Sequence, residues 1–271
     1  MKLTHEDLLK NGYKLVFEDH FDGPDVDPDV WEKVDWNCEV GHYGRKIHRN
    51  PKNIFTKDSC MVIKGSIDKD ENGEKSYNCG IVQVKKFCYK YGYAEARAKI
   101  AVAGPGIWMG FWMKSEYEGS KVNSEIDVAE MFGDDSKIYS NIHAWWKDKN
   151  YERGHCLTFL ESDGDEKIKV LENGKRFSDE FHTFGYFWTP EFVEFTVDGV
   201  CHWRVDITNP MLALCHTPIY FIFSMLYGST YRIPPIEDRT EPIEFCIDYL
   251  RLYQDDRGEL YDMDSEGIHK R

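Results

Sequence analysis

Along the 271 residues, apolar positions occur in short runs or alternate with polar ones, and Asp, Gly, Asn and Pro separate the runs. The runs fall at 13–18, 53–55, 60–67, 78–85, 91–101, 107–113, 124–131, 138–146, 155–160, 167–171, 183–188, 192–198, 219–226 and 243–253. Short segments with a period of two, punctuated this densely, predict strands, and no long stretch carries the 3.6-residue period of an amphipathic helix. The pattern therefore predicts an all-β sandwich or jelly roll, without internal repeats or linkers. Residues 4–11 are the exception. Thr4 caps a short helix, Asp7 completes a capping box at N3, and Gly12 stops it. Asp198 and Gly199, between 192–197 and 200–205, carry the two-residue hairpin signal, and the charged stretches 68–74 and 161–166 read as turns. The chain thus divides into a helical appendage (1–12), one large domain (13–254) and a polar tail (255–271) expected to be loose.

Two neighbouring strands carry the candidate chemistry. In 107–113, Ile107, Met109, Phe111 and Met113 share one face and Trp108, Gly110 and Trp112 the other, so one face suits a core and the other a ligand. Two tryptophans flanking a glycine form a flat apolar wall on which a sugar ring stacks; the plainer reading buries both. In 124–131, Glu125, Asp127 and Glu130 place three carboxylates within six residues. Strict alternation would send Glu130 to the face opposite Glu125 and Asp127. One extra residue, a β-bulge at Val128 or Ala129, returns it to their side, and bulges are frequent beside active sites. Carboxylates crowded on one face do not all ionise together, which separates a proton donor from a charged nucleophile as retaining glycosidases require. A solvated acidic edge strand is the alternative. After the turn at 133–136 the chain returns as 138–146, setting His143 opposite Glu125 to Asp127, where it either fills a structural hydrogen bond or steers a carboxylate or sugar hydroxyl.

Charge and cysteines narrow the partners. A formal net charge of −14 and pI near 5.2 disfavour nucleic acid and anionic membrane surfaces. The eight cysteines form no C-x-x-C pair, so they give no metal or redox motif and read as reduced thiols. The first ten residues lack the apolar core of a leader, and no apolar run is long enough to span a bilayer. The chain reads as a soluble monomer, cytoplasmic as written or secreted once a leader has been removed.

The strand Glu125 to Glu130 matches E-[IL]-D-x-x-E, and through it the chain resembles glycoside hydrolase family 16, the laminarinase, lichenase, agarase and carrageenase group, in its bulged form. The likeness extends over roughly 12–254. Gly12 to Gly23 with Trp31 resembles the family's opening strand, Asn53 to Phe55 with Met61 to Lys64 its next conserved stretch, and Tyr91 to Lys99 its "Y-G-r-f-E-a-R-i-K" strand. Phe181 to Glu191, Val197 to Val200 and Ile247 to Tyr253 complete it. The resemblance implies a curved, concanavalin A-like jelly roll of two antiparallel sheets with an open concave cleft. It implies Glu125 as nucleophile, Asp127 as the middle carboxylate and Glu130 as general acid and base, with Trp108, Trp145 and Asn53 lining sugar subsites; Trp112 and His143 join them as substrate-binding candidates from the strand reading above. The expected substrate is a β-linked polysaccharide or oligosaccharide, cut internally as in endo-β-1,3- or β-1,3-1,4-glucanases. A β-galactan hydrolase and a non-catalytic carbohydrate-binding protein stay open on the same scaffold.

Two departures from the family pattern bear on substrate and metal. Gly106 to Trp112 reads GIWMGFW where glucanases have G-x-W-P-A-F-W, and Ser224 to Pro234 departs from N-l-a-v-G-G-x-W-P-G. His20 replaces an acidic residue of the opening strand while Asp248 is kept, so no cofactor is expected and the calcium of relatives is in doubt.

Overall fold

The computed structural model describes residues 3–38, 46–69, 72–100, 104, 106–115, 122–147, 153–158, 168–208, 215–227 and 241–271, with the side chains of residues 37, 38, 46, 122, 123, 144–147, 153–158 and 227 left aside. Two antiparallel sheets face each other. The first contains β2 (Trp31–Lys33), β7 (Lys75–Val84), β18 (Tyr220–Tyr227), β10 (Ile107–Lys114), β11 (Val122–Phe132) and β12 (Lys137–Lys147), in that spatial order, with β13 (Arg153–Thr158) and β14 (Ile168–Val170) beyond β12. The second is built on β19 (Ile243–Gln254). One edge of it pairs with β1 (Lys14–Asp19) and with β6 (Cys60–Lys69), which carries β5 (Ile54–Lys57); the other side continues through β9 (Gly92–Lys99), β15 (His182–Trp188), β16 (Phe192–Val197) and β17 (Val200–Asp206). The sheets join where β6 passes into β7, and β3 (Trp36–Cys38) and β4 (Lys46–Arg49) flank that junction.

The alternation read from 107–113 decides how the layers stack. Ile107, Met109, Phe111 and Met113 are almost fully buried between the sheets, and Phe111 stacks on Phe223 with centroids 4.8 Å apart. Each such side chain contributes roughly 1.5–3 kcal/mol of transfer free energy, which keeps this strand from turning over. The opposite face, with Trp108 and Trp112, is left for the cleft.

The helix forms at His5–Lys10 with the expected capping box between Thr4 and Asp7. Asp198 and Gly199 adopt φ of 51° and 73°, the backbone that a two-residue hairpin needs, and Asp198 is further held by His182. The expected loose tail is instead a hairpin. Strands β20 (Glu259–Asp264) and β21 (Gly267–Lys270) form a three-stranded sheet with β8 (Phe87–Lys90). Asp264 Oδ1 accepts from the backbone N–H groups of Glu266 and Gly267 to close the turn, and Leu260, Tyr261, Met263 and Ile268 pack against the core. Polar composition hid it because its apolar side chains cover an edge contributed by residues far earlier in the chain. The six cysteines with described side chains, Cys60, Cys79, Cys88, Cys201, Cys215 and Cys246, are thiols, and burial pushes Cys88 and Cys215 up to about 12.

Candidate active site

The expected bulge is present in β11. Opposite β10, Trp112 pairs with Asp127 and Phe111 with Ala129, so Val128 has no counterpart; opposite β12, Asn141 pairs with Asp127 and Tyr139 with Glu130, so two residues face Ser140 alone. Ser140 Oγ donates to the carbonyl of Val128 at 2.7 Å, satisfying a group that the extra residue has pulled out of the ladder. The bulge brings Glu130 back beside Glu125 and Asp127, and all three carboxyl groups line one open cleft.

Strand register builds the rest of that cleft in rows that run across the sheet. One row is Asn141, Asp127, Trp112, Ile222, Gln83 and Glu32; the next is Glu130, Gly110, Ser224 and Ile81. Trp108, Lys114, Leu226, Val34 and Arg49 also contribute to a cavity of about 470 Å³. Gly110 is closely approached: a Cβ there would lie 3.1 Å from Trp112 Cδ1 and 3.3 Å from Ser224 Oγ, so either side chain would have to shift by a few tenths of an ångström. The bare backbone lets the Trp112 indole donate from Nε1 to Ser224 Oγ at 3.0 Å.

The three acids differ in environment. Glu125 is the least buried, whereas Asp127 and Glu130 are 3% and 9% exposed. Burial pushes Asp127 up to about 8. Glu130 is raised well above the carboxylate range, first by burial and then by the negative charges of Asp127 and Glu125. Two groups oppose that rise: Trp108, whose Nε1 donates to Glu130 Oε1 at 2.8 Å, and His143. His143 stands opposite Glu125, as the hairpin count placed it, with Nε2 3.2 Å from Asp127 Oδ2 and 3.0 Å from Asn141 Nδ2. The ligand atoms of Glu125, Asp127 and His143 all lie within 4.8 Å of one another. Asp127 is thus close to both the nucleophile candidate and the imidazole.

Of the other expected sugar contacts, Trp108 and Trp112 line the cleft but each spends its N–H on a protein acceptor. The side chain of Trp145 lies outside the described residues. Asn53 does not line the cleft described here: it is 8% exposed, and its amide donates to the Lys64 carbonyl at 2.7 Å, which fixes the chain against β6. Sequence reasoning missed Arg49 and Glu32, because the short strands that carry them show no alternation, and Gln83, a polar residue within a mainly apolar run. Lys114 was legible, since it has the parity of Trp108 and Trp112.

The family model described as "Beta-porphyranase A-D, GH16 domain" matches residues 15–241. The glucan endo-1,3-β-glucosidase A1 of Niallia circulans is 25% identical over 93% of this chain and 39% of its own length. A β-glucanase of Rhodothermus marinus is 24% identical over 89% of this chain and 85% of its own. Among solved structures, the catalytic domain of an endo-1,3-β-glucanase (laminarinase) from Thermotoga petrophila superposes with a TM-score of 0.70 and 26% identity, covering 90% of this chain and 98% of that one. The chain spans 39% and 45% of two curated relatives it matches, the Niallia circulans enzyme and the β-glucanase of Acetivibrio thermocellus.

Proposed function

The chain belongs to glycoside hydrolase family 16, and from that premise we propose that it is a retaining endo-β-glycosidase that cuts a β-glucan chain internally. The observation that carries this reading is the bulge at Val128, which gathers Glu125, Asp127 and Glu130 in one open trough beside two tryptophans. An open cleft accepts a chain from the side, so the cut falls inside the polymer.

In the first step the Glu125 carboxylate attacks the anomeric carbon while the bond to the leaving oxygen breaks, and that oxygen takes the proton of Glu130. Burial keeps Glu130 neutral and therefore able to donate. Asp127, within 4.8 Å of Glu125 and 3.2 Å from His143 Nε2, stands where it holds the nucleophile in place. In the second step water attacks the anomeric carbon, Glu130 as carboxylate accepts the water's proton, and the ester to Glu125 is released.

Calcium has no part in this reading. A hard cation requires oxygen ligands, but the Asp248 carboxylate is paired with Arg97, and His20 offers an imidazole that is engaged with Glu18 at 3.0 Å. These residues do not fit the ion.

A β-galactan is the competing substrate to test, because the matching family model is described as a porphyranase domain. Measuring reducing ends released from laminarin, mixed-linkage β-glucan, agarose and porphyran decides between them. Wild type should cleave at least one of these polymers, and Glu125→Gln should bind it without turnover. Binding without turnover by wild type itself would leave a carbohydrate-binding protein.

A further inference from the structure

Beyond the acids, the cleft wall continues along a segment that the mechanism does not use. Glu32 and Val34 line the cleft, and Trp36 follows two residues further on, at the start of β3. The odd residues turn away, Lys33 to Asp25 and the Ile54 carbonyl, and Asp35 to His48. Trp36 pairs directly with Arg49, which also lines the cleft, and the guanidinium carbon of Arg49 sits 4.6 Å from the centre of the indole. Trp36 nevertheless keeps 43% of its surface exposed, an unusual placement for the largest apolar side chain. An indole held in place by a cation on one side and open to solvent elsewhere is a platform for a flat, partly apolar ring.

We propose that Trp36 and Arg49 form an outer sugar subsite, in which the C–H face of one uncharged pyranose ring of the polysaccharide lies on the Trp36 indole and Arg49 N–H groups donate to its hydroxyls. The proposal rests on the polysaccharide-hydrolase reading above and adds where the chain exits the cleft. From β11 to β3, which carries Trp36, there are five strand-to-strand steps, β10, β18, β7, β4 and β3. At the usual strand spacing this is about 24 Å, several pyranose rings from the scissile bond. A long chain spans that distance and a trisaccharide does not.

The test compares wild type, Trp36→Ala and Trp36→Phe on the polymer that wild type cleaves fastest and on its trisaccharide. Trp36→Ala should lower kcat/KM for the polymer about tenfold through KM, the loss of one stacking contact, while the trisaccharide value stays the same and Trp36→Phe recovers most of the polymer value. Equal losses on both substrates, or no loss on the polymer, would overturn the subsite. The same comparison in the Glu125→Gln background, read as binding of the polymer, separates the two readings: if no polymer is hydrolysed by wild type the hydrolase reading fails, and Trp36→Ala must still weaken binding for the subsite to stand.

Discussion

Replacing Trp108 by Phe isolates one interaction at the acid. The ring that packs on Phe132, with centroids 5.4 Å apart, is kept, and only the N–H that donates to Glu130 Oε1 at 2.8 Å is lost. That bond favours the ionised form of Glu130, so its loss must raise the proton affinity of a group that burial and neighbouring charge have already raised. A hydrogen bond to a charged group contributes roughly 1.5–3 kcal/mol. With the proton about half transferred in the glycosylation transition state, about half of that is added to the barrier, a fall in kcat/KM of roughly four- to twelvefold. The alkaline limb of the kcat/KM profile, which reports loss of the acid's proton, should move to higher pH. An aryl glycoside whose leaving group needs no protonation should be spared. The assay is therefore a pair of pH–rate profiles, one on the natural polymer and one on a dinitrophenyl glycoside. An alkaline limb that stays in place or moves down, or an equal loss on the aryl substrate, would refute the reasoning.

Three further outcomes follow from the same geometry. Asp127, at about 8 in the fold and near 3.8 when unfolded, holds a proton in the native state that the unfolded chain has released throughout pH 4–8, so stability falls as pH rises across that window; Asp127→Asn should make the pH dependence of urea unfolding less steep by up to about 1.4 kcal/mol per pH unit, and an unchanged slope would contradict the buried neutral carboxyl. His143→Ala removes the group 3.2 Å from Asp127 and one of the two influences that lower Glu130; kcat should fall roughly tenfold and the alkaline limb should rise, as stopped reducing-end assays across pH would record. Ser140→Ala leaves the buried Val128 carbonyl without its donor, at a cost of about 1–3 kcal/mol, seen as a lowered unfolding midpoint together with reduced kcat, whereas unaltered stability would mean that the bulge holds itself.

Most of the site was legible because a strand's alternation is a local property. The parity of Glu125, Asp127 and Glu130 required one extra residue, and the ladder of β11 against its two neighbours contains it at Val128. Counting back from the turn at 133–136 placed His143 opposite Glu125 to Asp127 for the same reason, and the ladder pairs it with Glu125. Local rules failed where pairing made the structure. WEK at 31–33, WNC at 36–38 and KIHR at 46–49 show no pattern of their own and become strands by pairing with β7 or with each other. Asn53 carried the right residue type for sugar binding, yet its amide is claimed by a neighbouring strand.

By itself the sequence determined the class of fold, the face of each strand that could be apolar, and the set of three acids, since all of these depend only on the order of side chains along a two-residue repeat. The tertiary structure alone decided that Trp108 touches Glu130, that Gly110 and Ser224 together seat Trp112, and that the C-terminal residues cover the edge of β8. Those contacts join residues far apart in the chain. They are set by the register and packing of whole strands, which no single segment encodes.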